Sequence, residues 1–126
     1  MKFKLTTLLS LCITACAAPN FDMSKLDYGP EPLNYKEIIM EQSKLFVNDP
    51  ESIQVKWGNF PLRKHFIYNR WTGERESHGW MVCYSVNGKN AYGGYDGFSP
   101  RMTLIREGKA VYTEYDARAV KSCTQS

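Results

Sequence analysis

Apolar residues follow three successive patterns along this 126-residue chain. Residues 5–15 form an apolar run without a charge, preceded by Lys2 and Lys4. Within residues 34–48, Tyr35, Ile38, Ile39, Met40, Leu45 and Phe46 fall mostly on one face at a 3.6-residue period, which predicts an amphipathic helix. Asn34-x-x-Glu37 matches a capping box, in which two side chains satisfy orphan backbone amides of the first turn. Asn48-Asp49-Pro50 stops the helix, because the residue before a proline is pushed out of helical space.

Beyond Pro50 the pattern changes to strands. Residues 53–57, 63–71, 80–86, 101–106 and 109–115 are rich in β-branched and aromatic side chains, and Glu107-Gly108 joins the last two segments as a tight hairpin. Trp80, Val82, Tyr84 and Val86 alternate onto one face, expected to lie on the helix. Met81, Cys83 and Ser85 occupy the other, which an antiparallel sheet can leave half solvated. Residues 72–79 read as a polar loop, and residues 116–122 as a short helix that returns Cys123 to the sheet. The expected fold is α+β, with one amphipathic helix packed on an antiparallel sheet of four or five strands.

The N-terminal run has the anatomy of a secretory signal: a basic start, then an apolar segment about half the roughly 20 residues needed to cross a bilayer. It ends in Ile13-Thr14-Ala15-Cys16, which resembles the lipobox of bacterial lipoproteins. That resemblance implies diacylglyceryl modification of Cys16, cleavage before it and acylation of the new amine. With Ala17 rather than aspartate next, it also implies sorting to the outer membrane, facing the periplasm. Two acyl chains or more make such anchoring stable. Ala15-Cys16-Ala17 also fits cleavage after Ala17 to give a soluble secreted chain. The chain therefore divides into a signal peptide (1–15), a lipidated cysteine with a flexible tether (16–33) and one α+β domain (34–126). Pro19, Pro30, Pro32 and Gly29 mark the tether, which fully extended would reach about 55 Å at roughly 3.3 Å per residue.

Removing residues 1–15 would leave 111 residues, enough for a single domain, and would lower the net charge from +3 to +1. That charge lacks the phosphate-neutralising field of a nucleic-acid binder, so no nucleic acid is expected as a partner. Cys12 leaves with the signal and Cys16 carries lipid, so Cys83 and Cys123 remain as the pair expected to form a disulfide in an oxidising compartment. The alternative is two thiols too far apart to bridge.

Three turn signals, Asn87-Gly88, Gly93-Gly94 and Asp96-Gly97, crowd one segment in which Tyr92, Tyr95 and Phe98 recur at every third position. Asn87, Lys89, Asn90, Tyr92, Tyr95, Asp96 and Phe98 form a candidate binding loop, its rings either presented to a sugar or peptide or buried as pins. Asp49-Pro50-x-Ser52 followed by Asn87-x-Lys89-Asn90-x-Tyr92-Gly93-Gly94-Tyr95-x-Gly97 resembles a group of small secreted bacterial proteins, which usually read N-A-K-N, an aromatic, then G-G-Y-x-G. With Trp80 and Cys83 the likeness spans about half of residues 16–126. It implies shared fold and location, and no activity. Gly88 stands where that group commonly has alanine, and is expected to loosen the first turn.

Catalytic chemistry is thinly provided. His65 and His78 are the only histidines, and Glu74 and Glu76 read as solvated loop charges, as do Arg63, Lys64, Arg70 and Arg75. A Cys83 thiolate with either histidine would be a nucleophile–base pair, an expectation that competes with the disulfide. No catalytic residue, cofactor or metal site is expected, since the ligand types lack the short paired spacings of zinc sites. The expected function is a non-enzymatic binding or accessory module, held to the membrane by its lipid and engaging an envelope protein or glycan. The alternatives are a structural component of an envelope or secretion assembly, with a sheet edge or the 63–71 strand as its interface, an inhibitor or immunity lipoprotein, and more remotely a thiol or hydrolytic enzyme.

Overall fold

The computed structural model describes residues 25–58, 61–69, 71–73 and 75–125. The signal peptide, Cys16, Arg70 and Glu74 lie outside the described residues, as does the side chain of Glu76. The fold is α+β: helix α1 (Tyr35–Lys44), a 3-10 turn (Pro50–Ser52), strands β1 (Gln54–Trp57), β2 (Arg63–Tyr68), β3 (Arg75–Asn87), β4 (Ser99–Arg106) and β5 (Lys109–Tyr115), and helix α2 (Asp116–Thr124).

All pairings are antiparallel, and β3 organises them. On one side β2 pairs with its N-terminal half and β1 with its C-terminal end; on the other lies β4, then β5. The β4–β5 hairpin turns through Glu107 and Gly108, both at positive φ as a two-residue I′-type turn requires.

Strand β3 is 13 residues long and absorbs most of the expected 72–79 loop. Ser77, His78 and Gly79 are poor strand formers, but pairing with Ile67, Phe66 and His65 buries them. Tertiary pairing here outweighs local propensity. Gly79 is required by close approach, because a Cβ there would lie 2.7 Å from the Ile105 carbonyl oxygen.

Helix α1 ends at Lys44, not residue 48, and no capping box forms, since the Asn34 side chain makes no cap hydrogen bond. The Leu45 and Phe46 amides donate to the Gln42 and Ser43 carbonyls, tightening the last turn and sending both side chains into solvent. Ile39 carries the helix contact: it is fully buried against Val82, Tyr84 and Ile105. Beneath α1 a polar relay links the helix to the sheet, with Gln42 Oε1 left buried and unpaired among the described residues. Gln42 Nε2 donates to Thr113 Oγ1 at 3.0 Å, Thr113 and Thr103 hydroxyls pair at 3.0 Å, and Thr103 pairs with the Tyr84 hydroxyl at 2.8 Å.

The second sheet face, expected to be half solvated, is covered in part by a helix. Helix α2 crosses it and buries Ala119 against Met81, Met102 and Leu104. Cys83 and Cys123 form a disulfide, with Cα atoms 6.1 Å apart, that fastens α2 to β3. One face is thus covered by α1 and part of the other by α2, an arrangement hidden from strand alternation because the covering helix is short and buries only Ala119.

Candidate functional site

The loop after β3 is ordered around one side chain. Asn90 Oδ1 accepts hydrogen bonds from the Tyr92 amide at 3.0 Å and the Gly94 amide at 3.1 Å. Its Nδ2 donates to Asp96 Oδ1 at 2.9 Å, while the Asn90 amide donates to the Gly94 carbonyl at 2.7 Å. Asparagine alone supplies both an acceptor and a donor at this length, so Asn90 holds the two arms of the turn together.

The two separated motif segments meet in space. Ser52 Oγ donates to the Asp49 carbonyl at 2.7 Å and accepts the Lys89 amide at 3.0 Å. The Tyr95 hydroxyl donates to the Ser52 carbonyl at 3.0 Å. The Asp49-Pro50-x-Ser52 turn is therefore the buttress on which the loop stands.

The three rings have divided roles. Tyr95 is pinned through its hydroxyl, and Phe98 lies under the Lys56 ammonium, 4.1 Å from the ring centroid. Tyr92 is 98% exposed although its amide is fixed by Asn90. It is a ring presented on a backbone that does not have to be ordered at the moment of contact, which lowers the entropic cost of binding. Asn87 is buried at the strand end, with Nδ2 donating to Gln54 Oε1 at 3.4 Å, and Lys89 forms a bridge with Tyr95. Gly88 does more than loosen a turn: a Cβ there would sit 3.1 Å from Val47 Cγ1, so the absent side chain gives Val47 room.

At the other end of β3 the chain preceding α1 is docked. Residues 25–33, expected as part of the free tether, pack on the sheet through Tyr28, which is buried and meets the His78 ring edge-on at 5.3 Å. The Trp80 indole N–H donates to the Gly29 carbonyl at 3.1 Å, and His78 Nε2 donates to the Asp27 carbonyl at 2.8 Å. Arg106 Nη1 donates to the His78 carbonyl at 2.8 Å and lies 3.0 Å from Nδ1, which accepts from it in this tautomer. Burial is the main cause that pushes the His78 pKa below its ordinary value; the Asp27 hydrogen bond opposes it, and Arg106 and Arg75 add to it. His78 is thus a neutral structural clasp. Prolines and glycine marked this segment as a linker, and the lone aromatic Tyr28 was the signal that it docks.

The thiolate–histidine pairing is excluded by the disulfide, which consumes Cys83. Among the described residues, no three His, Cys, Asp or Glu side chains cluster closely enough to hold a metal ion. Comparisons with protein-family models, curated proteins and solved structures find no match to this chain.

Proposed function

We propose that this chain is a lipid-anchored binding module of the bacterial cell envelope, tethered through Cys16 and engaging an envelope protein or glycan with the loop around Tyr92. The observation that carries this reading is the opposed placement of the docked N-terminal segment and the loop on one long strand. The segment clasps β3 at His78 and Trp80, and the loop leaves β3 at Asn87. Nine residue steps at about 3.3 Å each separate them by roughly 30 Å. A lipid upstream of residue 25 would hold one end of the sheet toward the membrane and present Tyr92 at the far end.

The test is membrane fractionation and intact mass of wild type and Cys16→Ser, followed by crosslinked pull-down from membranes with Tyr92→Ala. The expected outcome is an acylated wild type in membranes, a soluble Cys16→Ser variant, and loss of captured partners from Tyr92→Ala with its melting temperature unchanged. A soluble, unacylated wild type removes the anchor. Partners that are retained by Tyr92→Ala remove the loop as the recognition surface.

A further inference from the structure

Helix α2 crosses only part of its sheet face, and the uncovered part is a cleft of about 700 Å³ between β2, β5 and α2. That volume lies within the roughly 300–1,000 Å³ typical of small-molecule sites. Nothing in the Tyr92 loop contributes to it.

Its chemistry is mixed in a particular way. At the rim stand two rings with solvent-facing surface, Tyr68 at 53% and Trp71 at 95% exposure. At the floor Glu114 is buried, accepting from Ser122 Oγ at 2.7 Å and from the Tyr112 hydroxyl at 3.4 Å. An ionised carboxylate offers about four acceptor positions, so two hydrogen bonds leave it able to take donors from the cleft. The wall is cationic: Arg118 and Lys121, three residues apart, fall on one side of α2 and both line the cleft. No ion pair to either is present among the described residues. His65, whose pKa is lowered chiefly by burial, adds a neutral ring with one donor and one acceptor.

We propose that this cleft binds a short acidic oligosaccharide, with sugar rings stacked on Trp71 and Tyr68, hydroxyls donating to Glu114, and a carboxylate held by Arg118 and Lys121. A pyranose has an apolar C–H face and a hydroxyl edge, which match an aromatic rim set against a polar floor. An extended peptide fits less well. Among the described residues β2 and β5 each pair on one side only, so a peptide added as a strand would lie beside the sheet at a free edge, whereas the cleft lies on the sheet face and is lined by side chains.

The test titrates the purified full-length chain with trigalacturonic acid, chitotriose and hexaglutamate, followed by backbone amide NMR and tryptophan fluorescence. Trigalacturonic acid is expected to bind saturably, at least about tenfold more tightly than chitotriose. Trp71→Ala weakens both sugars about tenfold or more, and Arg118→Gln with Lys121→Gln reduces trigalacturonate to the chitotriose level. These side chains are exposed, so the variants keep the fold, and the amide shifts are expected at residues 65–71 and 112–125. Their location separates failure of this cleft from failure of the loop. The proposal is overturned by no saturable change up to about 10 mM sugar, by binding that survives Trp71→Ala, by amide shifts centred on residues 88–98, or by hexaglutamate binding as tightly as the acidic sugar.

Discussion

Replacing both Cys83 and Cys123 with alanine tests how much of this small domain depends on one covalent link. The disulfide closes a loop with a sequence separation of 40. In the chain-entropy treatment, the unfolded state then gains about 13 cal/mol/K when the link is removed, or close to 4 kcal/mol at 25 °C. Domains of this size are stable by about 5–15 kcal/mol in total, so the loss is a quarter or more of the whole. At a urea slope of about 2 kcal/mol/M the midpoint should fall by roughly 2 M, and the melting temperature by about 15 °C or more. The effect should also be uneven. Helix α2 has only 9 residues, too few to be stable alone, and its one buried residue is Ala119. Without the link, amides of α2 should exchange much faster than those of β3 and β4, which hydrogen exchange resolves residue by residue. Urea unfolding of wild type, reduced wild type and the double variant by circular dichroism supplies the global value. A midpoint lowered by less than about 0.5 M, with α2 still protected, would refute the reasoning: the loop would contribute little unfolded-state entropy, and α2 would be held by packing alone.

Other consequences follow from single contacts. Gly79→Ala drives a methyl against the Ile105 carbonyl and should cost about 2–3 kcal/mol in thermal or urea unfolding, since backbone on both sides has to shift. Asn90→Ala removes three hydrogen bonds that order the loop and should raise exchange of the Tyr92 and Gly94 amides, while global stability falls by about 1 kcal/mol or less because the loop is exposed. Burial lowers the folded-state pKa of His78 and His65, so the unfolded chain binds protons more readily. The stability tied to the neutral rings is present above the unfolded pKa of about 6.5 and is lost as pH falls from there through the lowered folded values. His78→Gln should flatten part of that slope in melting temperatures measured between about pH 7.5 and 5, whereas an unchanged slope would exclude His78 as the source.

Where periodicity was strong and local, residue order alone was informative. The α+β class, helix α1 near Ile39, the hairpin at Glu107-Gly108, the core alternation of Val82 and Tyr84, and the Cys83–Cys123 pairing were all legible, because each rests on spacing or on cysteine arithmetic. The loop after β3 was legible as a turn-rich segment. Which of its rings is presented was not, since that depends on Ser52, more than thirty positions earlier, reaching Tyr95. The length of β3 was hidden because Ser77, His78 and Gly79 become strand only through β2. The docking of residues 25–33 was hidden because one tyrosine among prolines has no period. The cleft could not be read at all: Tyr68, Trp71, Glu114, Arg118 and Lys121 come from separate parts of the chain, and it exists because α2 is too short to cover its face. Residue order by itself thus determined the elements and their covalent link, which depend on neighbours a few positions apart. Tertiary structure decided what those elements bury and what they leave open, because burial depends on residues that meet only after the chain has folded.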